Sequence, residues 1–463
     1  MLVRSPLEPR LPIRVLQIGD GVFVRGFVDW MIDEANARVG ARLGVAVARA
    51  RPHAEPPPLV AQDGLFTVIE RGHAGGDVVN RRRVVKCVQL AFDPHSEPQT
   101  LRRIATSPDL RFLVSNTTEA GIVDSDEPYD AAACPLNFPA KVAWLLKARF
   151  DALGEASAPG LIVLPCELIE ANGATLRRLT LAAAQRWGFA PAFHDWVRES
   201  CHFLDTLVDR IVPGFPAEEA ERLFESWGYR DPLAIAAEPY HLWAIEGDFA
   251  NEFPLAQAGL NVVWTHDVKP YRDAKLRMLN GAHTALAFPA LLAGLATVGE
   301  AVADPQFSAF LDLALFGEIV PHVPLPSQAR EAYARSVLER FANPFLRHEL
   351  IAITLNSVSK WRARILPTLK AAQGDAPLIA FSFAALVRFY RGPVRDEPTA
   401  LAGMARAWEG ASDAVEAMQR ALSDGQLWGE NLSAIPSFAE AARASAADIE
   451  AIGLRDALAR RLK

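Results

Sequence analysis

The sequence predicts an α/β N-terminal domain over residues 1–253 and an all-α C-terminal domain over residues 254–463, and three observations carry this. Short apolar runs alternate with helix-forming stretches through the first half. A Gly-rich turn follows the first of those runs. From about Pro254 onward strand signals fade and Ala/Leu-rich helical periodicity takes over. Strand–helix alternation of this kind argues for a doubly wound, Rossmann-like parallel sheet with helices on both faces.

Taken in order, Arg14–Ile18 is a short apolar strand that ends in Gly19-Asp20-Gly21, and an amphipathic helix is expected through Phe27, Trp30, Met31 and Ile32. Gly44–Ala48 is a second strand, and Pro52–Pro58 is a Pro-rich loop. Leu65–Ile69 and Val84–Val88 read as a hairpin pair set apart by glycines, with Arg81-Arg82-Arg83 as a solvated end beside it. Arg111–Ser115 and Leu161–Leu164 are two more buried strands, each followed by polar residues. In the second half the clearer helices are 276–295, 305–317, 327–341, 349–364, 376–390 and 402–422.

Bulk properties exclude several function classes. Half of the residues are hydrophobic and 22% are charged, as in an ordinary globular protein. A net charge of −7 leaves no basic excess to neutralise phosphates, so a nucleic-acid partner is not expected. The longest apolar stretch, Thr284–Val298, is too short for a membrane span and is interrupted by Pro289. Cys87, Cys134, Cys166 and Cys201 show no metal-ligand spacing, and so few thiols fit a reducing compartment. With no apolar leader visible at the N-terminus, the expectation is a soluble, cytoplasmic protein, and the sequence leaves monomer or homodimer open. Only eight lysines occur, so arginine supplies most of the positive charge. Lys is the cation that can lose its proton near neutral pH when buried, which gives each retained Lys more weight.

The turn Gly19-Asp20-Gly21-Val22-Phe23-Val24-Arg25 has G-x-G but lacks a third glycine. After the first strand of an α/β half, such a turn suits a dinucleotide pyrophosphate resting on backbone N–H groups. An ordinary tight βα turn is the plainer alternative. The acidic residue usual at the end of the second strand is absent, and Val47-Ala48-Arg49-Ala50-Arg51 stands there. Arginines at that point suit a 2′-phosphate and hence NADP, or simply face solvent, so spacing leaves the cofactor open. Asn116, Thr117 and Thr118, after another strand, put small polar groups where ligands gather on open sheets, or else cap a helix.

Lys275, Asn280 and His283 form the other constellation. At about 100° per residue, His283 lies roughly 80° and Asn280 roughly 140° round from Lys275. Leu279, Ala282 and Leu286 share that half of the helix, so three polar groups sit on a packing face. Such breaches of pattern tend to mark functional sites. The plainer reading is a boundary helix with a snorkelling Lys and a satisfied His.

Taken together, these segments resemble the mannitol dehydrogenase family, the polyol-specific long-chain dehydrogenases. Its G-x-G-x-F-x-R loop is matched by Gly19, Gly21, Phe23 and Arg25, and its K-x4-N-x2-H element by Lys275, Asn280 and His283. Phe27–Trp30, Gln62–Leu65, Ser115–Ile122, Pro165–Ile169, Thr206–Val212, Lys269–Tyr271, Ser359-Lys360 and Leu366-Pro367 resemble the uronate branch of the family. The resemblance spans about residues 14–370. It implies that Gly19, Gly21, Phe23, Arg25, Asn116, Thr117 and Thr118 bind NAD, preferred over NADP. It implies further that Lys275 is the general acid/base, that Asn280 and His283 orient and polarise the reacting carbonyl, and that no catalytic metal is used. The implied reaction is NAD-dependent reduction of the 5-keto uronate D-tagaturonate to D-altronate in hexuronate catabolism. Fructuronate reduction, or another polyol or sugar-acid dehydrogenation of the family, is the alternative. A non-catalytic nucleotide-binding protein is the reading from a different class.

Departures bear on the substrate. Leu168, Ala352 and Leu355 stand where polyol-oxidising relatives carry Asn, Arg and His. A uronate carboxylate needs a fixed cation; Lys360 is the first candidate, with Arg272, Arg362 and Arg364 after it. Asp209 is a further candidate for substrate contact, or a structural partner of Arg210.

Overall fold

The computed structural model describes residues 2–117, 119–154 and 159–463. In chain order its strands are β1 (Ile13–Ile18), β2 (Gly44–Ala48), β3 (Phe66–Ala74), β4 (Asp77–Val85), β5 (Val88–Phe92), β6 (Phe112–Ser115), β7 (Ile162–Pro165), β8 (His202–Phe203), β9 (Thr206–Asp209), β10 (Ile235–Ala237), β11 (Leu242–Glu246) and β12 (Val262–Thr265). Six of them make the main sheet, in the order β5-β2-β1-β6-β7-β8, with parallel pairing throughout. Numbered within the sheet this is 3-2-1-4-5-6, the doubly wound dinucleotide-binding order.

Alternation along the strands explains why both faces are covered. Val15, Val45, Val47, Phe112, Val114, Ile162 and Leu164 enter one core with Phe27, Trp30 and Met31. Leu16, Ile18, Ala46, Ala48, Leu113 and Val163 enter another with Leu101, Trp144, Leu176 and Phe193. Strands buried on both faces read as continuous apolar runs, which is why they were legible.

The chain forms two compact units: Met1–Arg71 with Val79–Val268, and Gly72–Val78 with Lys269–Lys463. The sequence suggested a division at 253/254. Residues 254–268 fall in the first unit because β12 pairs with β11.

Other departures have local causes. β3 and β4 are the hairpin, turning at Gly75 and Gly76, both with positive φ, as a two-residue hairpin loop requires. Val88 instead opens β5 of the main sheet. The three arginines lie inside β4 and not at an end; Arg81 and Arg82 are solvated as expected, although Arg81 pairs with Glu70 and Arg82 covers the Trp227 and Tyr229 rings, while Arg83 is partly buried and pairs with Asp33 and Glu34. The first helix, Val22–Val39, is buried from Val24 through Ala35, and Arg25–Asp29 within it is a π-helical segment. Of the later helices, Ser327–Phe341 has the expected bounds and Pro377–Phe389 nearly so. The stretch 349–364 is two helices, Leu350–Ile353 and Ser357–Arg364, parted by Asn356 at φ 54°. The stretch 402–422 is likewise divided, Pro398–Trp408 and Ala414–Ser423. Among the described residues, no helix is long and apolar enough to cross a membrane.

Candidate functional site

In the first unit the turn after β1 is fixed from several sides. Gly19 has φ 116°, and a Cβ there would stand 2.6 Å from the Asn116 carbonyl oxygen, so only glycine fits. Its N–H donates to the Ala48 carbonyl at 2.8 Å, and its own carbonyl accepts from Gln17 Nε2 at 3.0 Å. Gly21 differs: an added Cβ would meet no atom within 4 Å, so open space lies beside this backbone, at the N-terminal end of the helix. The turn follows β1 and Asn116 follows β6, so both border the point where strand order reverses. Open sheets of this order take dinucleotides there, with the pyrophosphate against a Gly-rich turn. The open flank of Gly21 fits that group.

Arg25 and Phe23 of the loop pack inward, whereas Val22 is exposed. Arg25 is buried, donating to the Asp20 carbonyl at 3.0 Å and the Leu233 carbonyl at 3.2 Å, with its guanidinium over the Phe66 ring. Phe23 stacks on Phe27 at 5.1 Å between centroids. Both therefore brace the turn. At the end of β2, Arg49 pairs with Asp20 Oδ2 at 3.4 Å and donates to the Glu55 and Pro56 carbonyls, while Arg51 is exposed.

Glu167 was not singled out from the sequence, yet it organises the strand end beside the turn. Buried to 2% exposure, its carboxyl accepts from Ser115 Oγ (2.9 Å), Thr117 N (2.8 Å) and Thr117 Oγ1 (2.9 Å), bonds that oppose the upward push of burial on its pKa. Asn116 Nδ2 donates to the Cys166 carbonyl at 3.3 Å. Thr118 lies outside the described residues. Asp209, at the end of β9, is buried at 2% exposure, whereas its neighbour Arg210 bonds Glu70 at 3.1 Å beneath Trp30.

In the second unit, Lys275–Asn280 is a π-helical segment continuing into the helix Gly281–Leu292. The expected spread of Lys275 and Asn280, based on α-helical rotation, therefore changes. Hydrogen bonding from i to i+5 brings the fifth residue back to the same side, so these two share a row. Both are partly buried, and His283 is buried at 6% exposure. The His283 ring stacks on Phe341 (4.0 Å, 17°) and meets His348 edge-on at 4.7 Å. Burial lowers the pKa of His348. No sequence signal pointed to His348, which arrives from a distant loop.

The helix Ser357–Arg364 packs against this element. Arg364 Nη1 donates to Thr284 Oγ1 at 3.2 Å, and Thr284 Oγ1 to the Asn280 carbonyl at 2.9 Å. Lys360 Nζ donates to the Ile353 carbonyl at 3.0 Å. Arg272 is partly buried in the preceding helix, Lys269–Ala274, whereas Arg362 is exposed. Leu168 and Leu355 are 60% and 50% exposed, and Ala352 is exposed too. Among the described residues, no cluster of His, Cys, Asp and Glu is arranged to hold a metal ion, and the four cysteines are buried and unbridged.

Residues 13–257 match the mannitol dehydrogenase Rossmann domain, and residues 267–450 match the mannitol dehydrogenase C-terminal domain. Similar curated proteins include an altronate oxidoreductase of Halalkalibacterium halodurans, 44% identical over 84% of this chain and 77% of that protein. Those of Cronobacter sakazakii and Shigella flexneri are each 39% identical, over 97% and 96% of this chain and 96% of their own. Among solved structures, a substrate-free D-sorbitol dehydrogenase superposes with a TM-score of 0.82 at 23% identity, covering 98% of this chain and 97% of its own. Pseudomonas fluorescens mannitol 2-dehydrogenase, in a ternary complex with NAD and D-mannitol, superposes with a TM-score of 0.67 at 24% identity, covering 99% and 96%. At those identities the two structures speak for the fold.

Proposed function

Because the chain belongs to the mannitol dehydrogenase family and is an oxidoreductase acting on CH–OH groups, we propose that it interconverts D-tagaturonate and D-altronate with NAD(H). The observation that carries this is the joint one: near-full-length identity to altronate oxidoreductases, and Lys275, Asn280 and His283 on one helical element.

NADH, when bound, supplies the hydride to the keto carbon. Gly19 and Gly21 shape the turn that receives it, Phe23 and Arg25 hold that turn, and Asn116 and Thr117 lie at the strand end beside it. As negative charge grows on the keto oxygen, the Lys275 ammonium neutralises it and then transfers its proton. In the oxidising direction the neutral amine takes the proton from the alcohol. Asn280, sharing a row with Lys275, donates to the same oxygen. His283, wedged between Phe341 and His348, is held in one orientation and polarises it. Lys360, with Arg272 and Asp209 as further candidates, binds the substrate. Leu168, Ala352 and Leu355 remove polar partners for a polyol and so disfavour mannitol. The expected compartment is the cytoplasm.

Lys275→Ala is expected to abolish turnover almost completely while leaving NADH binding intact. Wild-type turnover in that variant would sink the assigned role. Assays with tagaturonate, fructuronate, fructose and mannitol distinguish the proposed substrate from its relatives. NADH binding without turnover of any sugar acid would instead favour a non-catalytic nucleotide-binding protein.

A further inference from the structure

Lys360 and Arg364 are four apart on the helix Ser357–Arg364, so their side chains share a face. Each has only neutral partners, the Ile353 carbonyl and the Thr284 hydroxyl, and among the described residues no carboxylate forms an ion pair with either. The charge that bears on Lys360 most favourably, Asp396, is engaged by Ser357 N, Ser357 Oγ and the Tyr390 hydroxyl. Burial lowers the pKa of both cations, and Arg364 lowers that of Lys360 further. Like charges at this spacing destabilise a helix, and partly buried cations without a counter-charge do so more strongly. A fold that keeps such a pair keeps a place for an anion.

Its position says which anion. Thr284, which receives Arg364, is one helical turn beyond Asn280 and bonds its carbonyl. Gly281 lies against the backbone of Arg364, where a Cβ would come within 3.4 Å of the carbonyl oxygen. Residues four apart on a helix carry Cβ atoms about 5–6 Å apart. That is comparable with the carbon chain separating the keto group from the carboxylate in a 5-keto uronate. Arg277 is already engaged, by the His322 carbonyl and Asp273, and Arg362 is exposed beside Gly429.

We propose that Arg364 and Lys360 together form the subsite for the substrate carboxylate, with the planar Arg364 guanidinium as its two-pronged partner. The pair thereby selects sugar acids over neutral ketoses. This rests on the dehydrogenase reading above.

The test compares kcat/KM for tagaturonate and for the neutral ketohexose D-tagatose in wild type, Arg364→Gln and Arg364→Lys, alongside calorimetric titration with D-altronate. Arg364→Gln is expected to lose about 100-fold or more on the keto acid, mainly through KM, while D-tagatose stays within about threefold. D-altronate binding disappears in Arg364→Gln and NADH binding does not. Arg364→Lys keeps a charge on the helix and falls between. Equal losses on acid and ketose, or none, overturn the subsite. A wild type that binds D-altronate through Arg364 without turning over any keto acid would retain the subsite and sink the dehydrogenase reading. A wild type that turns over tagaturonate with Arg364→Gln unaffected would do the reverse.

Discussion

Asp29 shows how much a single buried group can weigh. It has no exposed surface, one carboxyl oxygen accepts from Gln17 Nε2 at 3.4 Å, and the other has no hydrogen-bond partner among the described residues. Burial pushes its pKa up to about 8, against the opposing pull of Gln17 and Arg25. An unfolded Asp titrates near 4. Between about pH 4 and pH 8 the folded chain therefore holds a proton that the unfolded chain has released. The contribution is fully present below the unfolded pKa and is lost as pH rises through the folded one, by up to about 1.4 kcal/mol per pH unit. Asp29→Asn removes the titrating proton and keeps the shape. The variant should be more stable than the parent at pH 8.5, by a margin that narrows towards pH 5 in denaturant unfolding. A margin independent of pH would mean that the folded chain carries this carboxyl charged.

Elements divide into those the sequence announced and those it did not. β1, β2, β6 and β7 were legible because apolar side chains fill both faces of a parallel strand, leaving an unbroken run. The Gly19 turn was legible because its position after β1 gave a weak motif a context, and Lys275, Asn280 and His283 because polar groups interrupted an apolar helix. What stayed hidden depends on partners far along the chain. Glu167 clamps Thr117, Arg49 pairs with Asp20, and His348 meets His283, none of which leaves a local periodic trace. The π-helical segment Lys275–Asn280 was also hidden, since a one-residue change in hydrogen bonding leaves composition untouched. Arg49 shows what such a pairing does to an expectation. Read from the sequence, it suited a 2′-phosphate; in the fold its guanidinium faces the Asp20 carboxylate and two carbonyls. Asp20, reaching the end of β2 from the turn, thus occupies the guanidinium that a 2′-phosphate would need. Asp20→Asn should strengthen NADPH binding relative to NADH by about tenfold, or about 1.4 kcal/mol, in fluorescence titrations. An unchanged ratio would show that the pair has no part in cofactor choice.

At the scale of the whole chain, an excess of seven negative charges would, on the proposed reaction, face an anionic dinucleotide and an anionic sugar acid. Surface charges beyond about 8–10 Å are largely screened at physiological salt, so net charge decides little and local groups decide most. On the proposed reaction the two ligands call on different local groups. Backbone N–H groups of the Gly19 turn and the end of β6 belong to the first unit, and the Lys275 element with Lys360 and Arg364 to the second. Amide hydrogen exchange of the full chain reads both at once. NADH should slow exchange most strongly in peptides covering 19–25 and 112–117. D-altronate should do so in peptides covering 275–284 and 357–364, because binding raises the local opening free energy by about 2.7 kcal/mol at a hundredfold excess over Kd. Arg364→Gln should erase the D-altronate footprint and leave the NADH footprint in place. If D-altronate protected only first-unit peptides, or if Arg364→Gln removed both footprints, the assignment of the carboxylate to the second unit would be lost.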